Sequence, residues 1–177
     1  TTSNDDKDDK KKDGDENEDG DEDKNKKKKK IKFNKKEIDF GRFHGSISWS
    51  NNNEYLAYSK YHYANNNSRV FDLCLYDVNL EEKRWITNDL RATYPIFTLE
   101  NEIIFVSHTN STSNLYKVDI YDIQHKEQLT FFKGDVQILT PSISKGGEEL
   151  IFAMAKQDGN LDIYSLNFKT NNISRKT

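Results

Sequence analysis

The sequence predicts an all-β chain: a β-propeller of four-stranded antiparallel blades, with about three blades present. Three observations lead there. One motif occurs three times, as ISWSNNNEYLAYS at Ile47–Ser59, PIFTLENEIIFVS at Pro95–Ser107 and PSISKGGEELIFAM at Pro141–Met154. Within it, Tyr58, Phe105 and Phe152 hold equivalent places at intervals of 47 and 47. After each copy comes a third strand-like run: DLCLYDV (Asp72–Val78), NLYKVDI (Asn114–Ile120) and DIYSLNF (Asp162–Phe168). Two copies then close on a matching tail, RWIT at Arg84–Thr87 and EQLT at Glu127–Thr130. A sheet of such short strands has two apolar faces to cover, and stacking successive sheets around an axis covers both.

Taken in order, residues 1–30 hold 12 acidic and 10 lysine residues and no aromatic or aliphatic side chain. Such a segment buries too little apolar surface to offset the entropy of ordering it, so a disordered acidic and lysine-rich tail is expected. Its Lys26–Lys30 run is a weak candidate for nucleic acid or anionic lipid. The neighbouring acidic block competes for it, and the tail has no aromatic side chain to stack on bases and no Arg. Asp13–Lys24 resembles a calcium loop but carries Glu18 where glycine is required and Lys24 where a bidentate Glu is required.

Residues 31–44 alternate weakly through Ile31, Phe33, Ile38 and Phe40, with a turn expected at Asn34–Glu37. They are read as a lead-in or the remnant of a preceding blade. Asp39–Gly41 spells DFG without any accompanying nucleotide loop, and is read as coincidence.

Three repeats fill 45–177, at about 45–90, 91–134 and 135–170. In the first, strands are expected at Ile47–Ser50, Tyr55–Ser59, Phe71–Val78 and Lys83–Ile86, with Lys60–Val70 a polar surface loop. The second carries a matching loop at His108–Ser113, and the third shortens it to Lys156–Asn160. The polar end Asn171–Thr177 is not expected to form a fourth strand. Pro95 and Pro141 suit turns before strands rather than strand interiors. Tyr58, Phe105 and Phe152 are read as blade-to-blade packing residues, Trp49 as core and Trp85 as partly exposed. Three copies make about half of a six-bladed ring, since closed rings take about 4–8 blades. The first and last blades would then present apolar faces, and further blades outside Thr1 and Thr177 are the favoured explanation.

At these residues the chain resembles the propeller repeats of TolB, of tricorn protease and of prolyl-oligopeptidase-type serine peptidases. That repeat has the form P-x-W-S-P-D-G-K-x-I-A-F-x-S, followed by a D-I-Y-x-x-D strand and an L-T ending. Trp49-Ser50 and Leu56–Ser59 match in the first copy. Pro95, Ile104–Ser107, Leu115-Tyr116, Asp119 and Leu129-Thr130 match in the second. Pro141, Ser144, Gly146, Ile151–Ala153 and Asp162–Tyr164 match in the third. Asn51–Asn53 stands where the family has proline, aspartate and glycine. The resemblance implies either a non-catalytic module that binds protein or peptide through its rim loops, or the substrate-filtering propeller of a larger serine peptidase. In the second case a hydrolase domain would lie outside this segment.

The residues themselves specify no reaction, so whether the chain is part of an enzyme stays open. No G-x-S-x-G elbow and no HExxH pair occurs, and no catalytic, cofactor-binding or metal-binding residue is assigned. His44, His62, His108 and His125 are widely spaced; His62 and His108, in comparable loops, are placed on one rim as surface residues. Cys74 lies inside a strand as a packing residue. Asp72, Asp77, Asp119 and Asp162 recur at matching strand positions and are read as structural. With one cysteine there is no internal disulfide, and no apolar run is long enough for a transmembrane helix. The compartment stays open; a soluble chain is expected, with the cytoplasm favoured.

Overall fold

The computed structural model describes residues 34–177, so the expectations for the tail and for Ile31 and Phe33 lie outside the described residues. The rest forms three four-stranded antiparallel sheets, each a sequential meander. The first contains β1 (Phe43–Trp49), β2 (Tyr55–Tyr63), β3 (Arg69–Asp77) and β4 (Glu82–Trp85). The second contains β5 (Ala92–Phe97), β6 (Glu102–Thr109), β7 (Thr112–Asp119) and β8 (Lys126–Gln128). The third contains β9 (Gln137–Ile143), β10 (Glu149–Ala155), β11 (Leu161–Asn167) and β12 (Asn172–Arg175). The first strands are neighbours, β1 packing on β5 and β5 on β9, so the sheets radiate as blades and do not close a ring.

Three local devices recur in each blade. The first hairpin is closed by a hydroxyl: Ser50 Oγ, Thr98 Oγ1 and Ser144 Oγ each accept from a backbone N–H of the following strand (Tyr55, Glu102, Glu149) at 2.9, 3.2 and 3.1 Å. The same turns need a left-handed residue, supplied by Asn53, Asn101 and Gly147, with φ of 61°, 64° and 72°. Asparagine tolerates that region, and so can stand at a turn position that otherwise favours glycine.

The second device is a bulge in each first strand. Pairing shifts between His44 and Ser48, between Thr93 and Ile96, and opposite Ile151–Ala153. The turning residues there are Gly45, Tyr94 and Thr140, with φ of 74°, 53° and 43°. Pro95 and Pro141 therefore lie inside β5 and β9 rather than before them. A bulge frees the backbone position whose N–H proline cannot supply.

The third device explains the L-T ending. Thr87 Oγ1 accepts from Leu73 N at 2.8 Å, Thr130 Oγ1 from Leu115 N at 2.9 Å, and Thr177 Oγ1 from Ile163 N at 2.9 Å. Each threonine extends the fourth strand's grip on the third. The third copy thus has the strand that its polar sequence argued against: β12 pairs from Tyr164↔Arg175 to Asn167↔Asn172. It lies at the outer edge, where a polar strand suffices.

Other boundaries also move. The expected Lys60–Val70 loop contracts to 64–68, because β2 runs to Tyr63 and β3 begins at Arg69. His108–Ser113 is a hairpin with only Asn110 and Ser111 outside the strands. In both, cross-strand pairing continues through the polar residues.

Two cores lie between blades. Ala57, Leu73, Leu75 and Ile86 of the first meet Ile103, Phe105 and Val118 of the second. Ile104, Val106 and Leu115 of the second meet Leu150, Phe152, Met154, Tyr164 and Leu166 of the third. Phe105 and Phe152 pack between blades as expected, stacked on Tyr116 and Tyr164 at 5.8 and 6.1 Å. Tyr58 does not: it belongs to a separate cluster with Leu56, Cys74 and Tyr76, on the face of the first blade away from the second.

That face is covered in part by the lead-in, whose described residues form no strand before Phe43. Ile38 packs on the cluster, and Asp39 accepts hydrogen bonds from Tyr58 Oη (2.8 Å), Lys60 Nζ (2.7 Å) and Lys83 Nζ (2.9 Å). Trp49 and Ile47 alternate onto the same face and remain 55% and 61% exposed, so Trp49 is not core. The third blade's far face likewise leaves Ile151, Leu161 and Ile163 exposed.

Candidate functional site

The hairpins β2–β3 and β6–β7 project at the rim opposite the hydroxyl-closed turns. Between them lies an open cavity of about 470 Å³. It is lined by side chains of both blades, among them His44, Arg69, Arg91 and His108, and contains no carboxylate in its wall. Its size falls in the range of small-ligand pockets, about 300–1,000 Å³.

Local folding explains how these residues converge. His44 precedes the bulge at Gly45, and Thr93 precedes the bulge at Tyr94, so the two first strands turn matching positions towards one opening. Gly45 is required: a Cβ there would lie 2.8 Å from Tyr94 Cδ1. His44 packs on Tyr94 at 5.4 Å and on Phe71 at 5.0 Å, and Phe71 meets Tyr61 edge-on at 4.5 Å. These rings make one wall of the cavity aromatic.

The opposite wall is polar. His108 Nδ1 lies 2.9 Å from Ser113 Oγ. Burial, and then the positive charges of His44 and Arg91, hold the His108 imidazole below its ordinary pKa. Thr93 is only 5% exposed, and its hydroxyl has no hydrogen-bond partner among the described residues. Neither Arg69 nor Arg91 forms an ion pair among the described residues; Arg69 lies over the Tyr63 ring at 5.6 Å.

The other residues singled out from the sequence are placed elsewhere. His62 is in β2 and does not share the cavity with His108; His44 does. His62 Nε2 lies 2.7 Å from Asp72 Oδ2, and its ring meets Trp85 at 4.5 Å. Asp72 is fully buried and also accepts from Thr87 Oγ1 (2.7 Å), Asp89 N (2.8 Å) and Leu90 N (3.1 Å). Those donors tie the blade-to-blade connection to β3. Asn114 repeats the role, accepting from Thr130 Oγ1 at 3.0 Å and Phe132 N at 2.7 Å.

Asp77 and Asp119 belong to a different set. Asp77 accepts from Asn79 N and Leu80 N, both at 2.9 Å, and Asp119 from Tyr121 N at 2.8 Å, closing the turn after each third strand. Asn167 does the same in the third blade. Asp162 Oδ1 is paired with Arg175 Nη2 at 2.7 Å. Cys74 is a buried free thiol whose pKa is raised, first by burial, as befits a packing residue. Among the described residues no three His, Cys, Asp or Glu side chains converge to hold a metal ion, and no helix is long and apolar enough to cross a membrane.

Sequence reasoning missed the cavity because Arg69 is more than twenty residues from Arg91 and Thr93, on a different blade, and none of the three repeats between blades. The available signal was the bulge glycine at Gly45 beside His44.

No family model and no curated protein matches the chain. Solved structures do. TolB from Acinetobacter baumannii superposes with a TM-score of 0.58 at 18% identity, over 77% of this chain and 32% of that one. The β-propeller domain of the trilobed protease from Pyrococcus furiosus gives 0.56 at 12%, over 78% and 45%. A puromycin-hydrolysing peptidase from Mycobacterium tuberculosis gives 0.60 at 14%, over 76% and 22%. The chain therefore spans less than half the length of each of these structures. At such identities the likeness establishes the fold alone: three blades of a β-propeller type, the architecture that the repeats predicted.

Proposed function

We propose that this chain is a non-catalytic propeller module that binds protein or peptide through the rim carrying the β2–β3 and β6–β7 hairpins, within a longer protein. The observation that carries this reading is the cavity between those hairpins, which has an aromatic wall and, among the described residues, two arginines outside any ion pair and a buried hydroxyl without a partner. Sites of this kind sit on loops and strand ends held by a rigid scaffold. The longer-protein part is supported by the two exposed apolar faces, Ile47 and Trp49 at one end and Ile151, Leu161 and Ile163 at the other. Further blades would bury them.

The test is selection of peptides from a random display library on the immobilised chain. Ligands enriched on the parent should lose binding to Arg69→Gln or His108→Ala, and keep it for a substitution on the opposite rim such as Asn52→Ala. Ligands insensitive to both rim substitutions, or no enrichment at all, contradict the proposal. A second reading, the filtering propeller of a serine peptidase, is favoured by the likeness to peptidase propellers; a hydrolase domain in the same native polypeptide would establish it.

A further inference from the structure

We infer that the rim cavity is a carboxylate-binding site, which in the docked state takes an acidic side chain or the C-terminal carboxylate of the peptide. The peptide half rests on the binding-module reading; the carboxylate half rests on the cavity alone. Two guanidinium groups, Arg69 and Arg91, and two imidazoles, His44 and His108, line a single opening with no acid among its lining residues. Like charges held together without a counter-ion repel, and a bound anion removes that repulsion. The guanidinium groups offer planar paired donors that match a carboxylate.

The second observation is independent of charge. Thr93 lines the cavity, and its Oγ1 lies just behind the wall, closed off from solvent and without a partner among the described residues. An unmet buried hydroxyl is costly, and almost all such groups in native structures are satisfied. A rotation of the Thr93 side chain towards the cavity would let an accepting ligand oxygen satisfy this one. The volume of about 470 Å³ exceeds what a bare ion needs, and Tyr61 and Phe71 give the carbon skeleton of the ligand an apolar wall. The guanidinium groups would also pair with a phosphate; the apolar wall is what favours a carboxylate carried on a carbon skeleton.

The test is a nuclear magnetic resonance titration of the full chain at constant ionic strength. The probes are succinate, neutral succinamide, inorganic phosphate, and an acidic hexapeptide with its amidated, neutral counterpart. Succinate should shift the His44, Thr93 and His108 signals saturably, and succinamide should not. Arg91→Gln should weaken succinate binding about tenfold, the loss of one charged hydrogen bond. Thr93→Val should weaken it severalfold. Arg69→Gln, on the opposite hairpin, provides a second variant should either of these alter the fold. Non-saturating shifts, shifts unchanged in all three variants, or saturation by phosphate alone would overturn the site. Saturation by succinate with equal binding of the acidic and neutral peptides would overturn the docked-peptide half and leave the carboxylate site standing. Peptide binding that ignores Arg69→Gln and Arg91→Gln would overturn the carboxylate site and leave the module.

Discussion

Phe105 is fully buried between the first two blades, and truncating it removes a large aromatic from a space that cannot collapse. Phe105→Ala should cost about 3–5 kcal/mol in a denaturant melt; a loss below about 1 kcal/mol would contradict the packing. Asp39 offers a pH test. Burial opposes its charge, but hydrogen bonds from Lys60, Lys83 and Tyr58 outweigh burial and hold its carboxyl far below the usual range. A depressed carboxylate stabilises the fold fully above its unfolded value of about 3.9, and loses that contribution as pH falls through the folded value. Below about pH 4 the parent should therefore lose stability more steeply than Asp39→Asn, and equal slopes in urea melts taken across that range would contradict the clamp. Phe105 was legible in the sequence because it repeats. Asp39 was not: its partners lie 19, 21 and 44 residues away, and no local pattern encodes such distances.

At the scale of the element, the repeat fixes which runs pair but hides where each strand stops. Polar strand ends such as Lys60–Tyr63 and Thr112–Asn114 have the composition of loops, yet backbone pairing carries them as strand. The fourth strand of the third blade was encoded in a signal that apolar counting overlooks, a threonine at the same distance beyond β11 as Thr87 is beyond β3. Thr87→Val leaves both Asp72 and Leu73 N short of a partner inside the protein, and should destabilise by about 1–3 kcal/mol. Thr87→Ser should recover most of it, and a melt that does not distinguish valine from serine would remove the threonine from its role. The bulges make the opposite prediction. Thr140 is an exposed β-branched residue held at φ 43°, where glycine is unstrained. Thr140→Gly should be stabilising by about 0.5–1 kcal/mol, the strain released less the added freedom of the unfolded chain. Destabilisation in the same melt would mean that the bulge is not strained. Trp49 was misjudged for a related reason: alternation correctly placed it on an apolar face, but nothing in its own strand tells whether another blade lies against that face.

For the whole molecule, blade stacking accounts for both what is buried and what is not. Each sheet is covered where it meets a neighbour; apolar side chains stand exposed on the outward faces of the first and last blades, and singly on turns and connections at Leu80, Leu99, Tyr121 and Phe131. Contiguous exposed patches of this kind mark surfaces made to be covered. The lead-in covers part of one, through Ile38 and the Asp39 clamp. Further blades of the same polypeptide are expected to cover the rest, completing the ring on whose rim the cavity opens. The most direct measurement is the intact mass of the native polypeptide isolated from its own cells. A mass well above 20.7 kDa is the predicted result, and a mass of 20.7 kDa would contradict it.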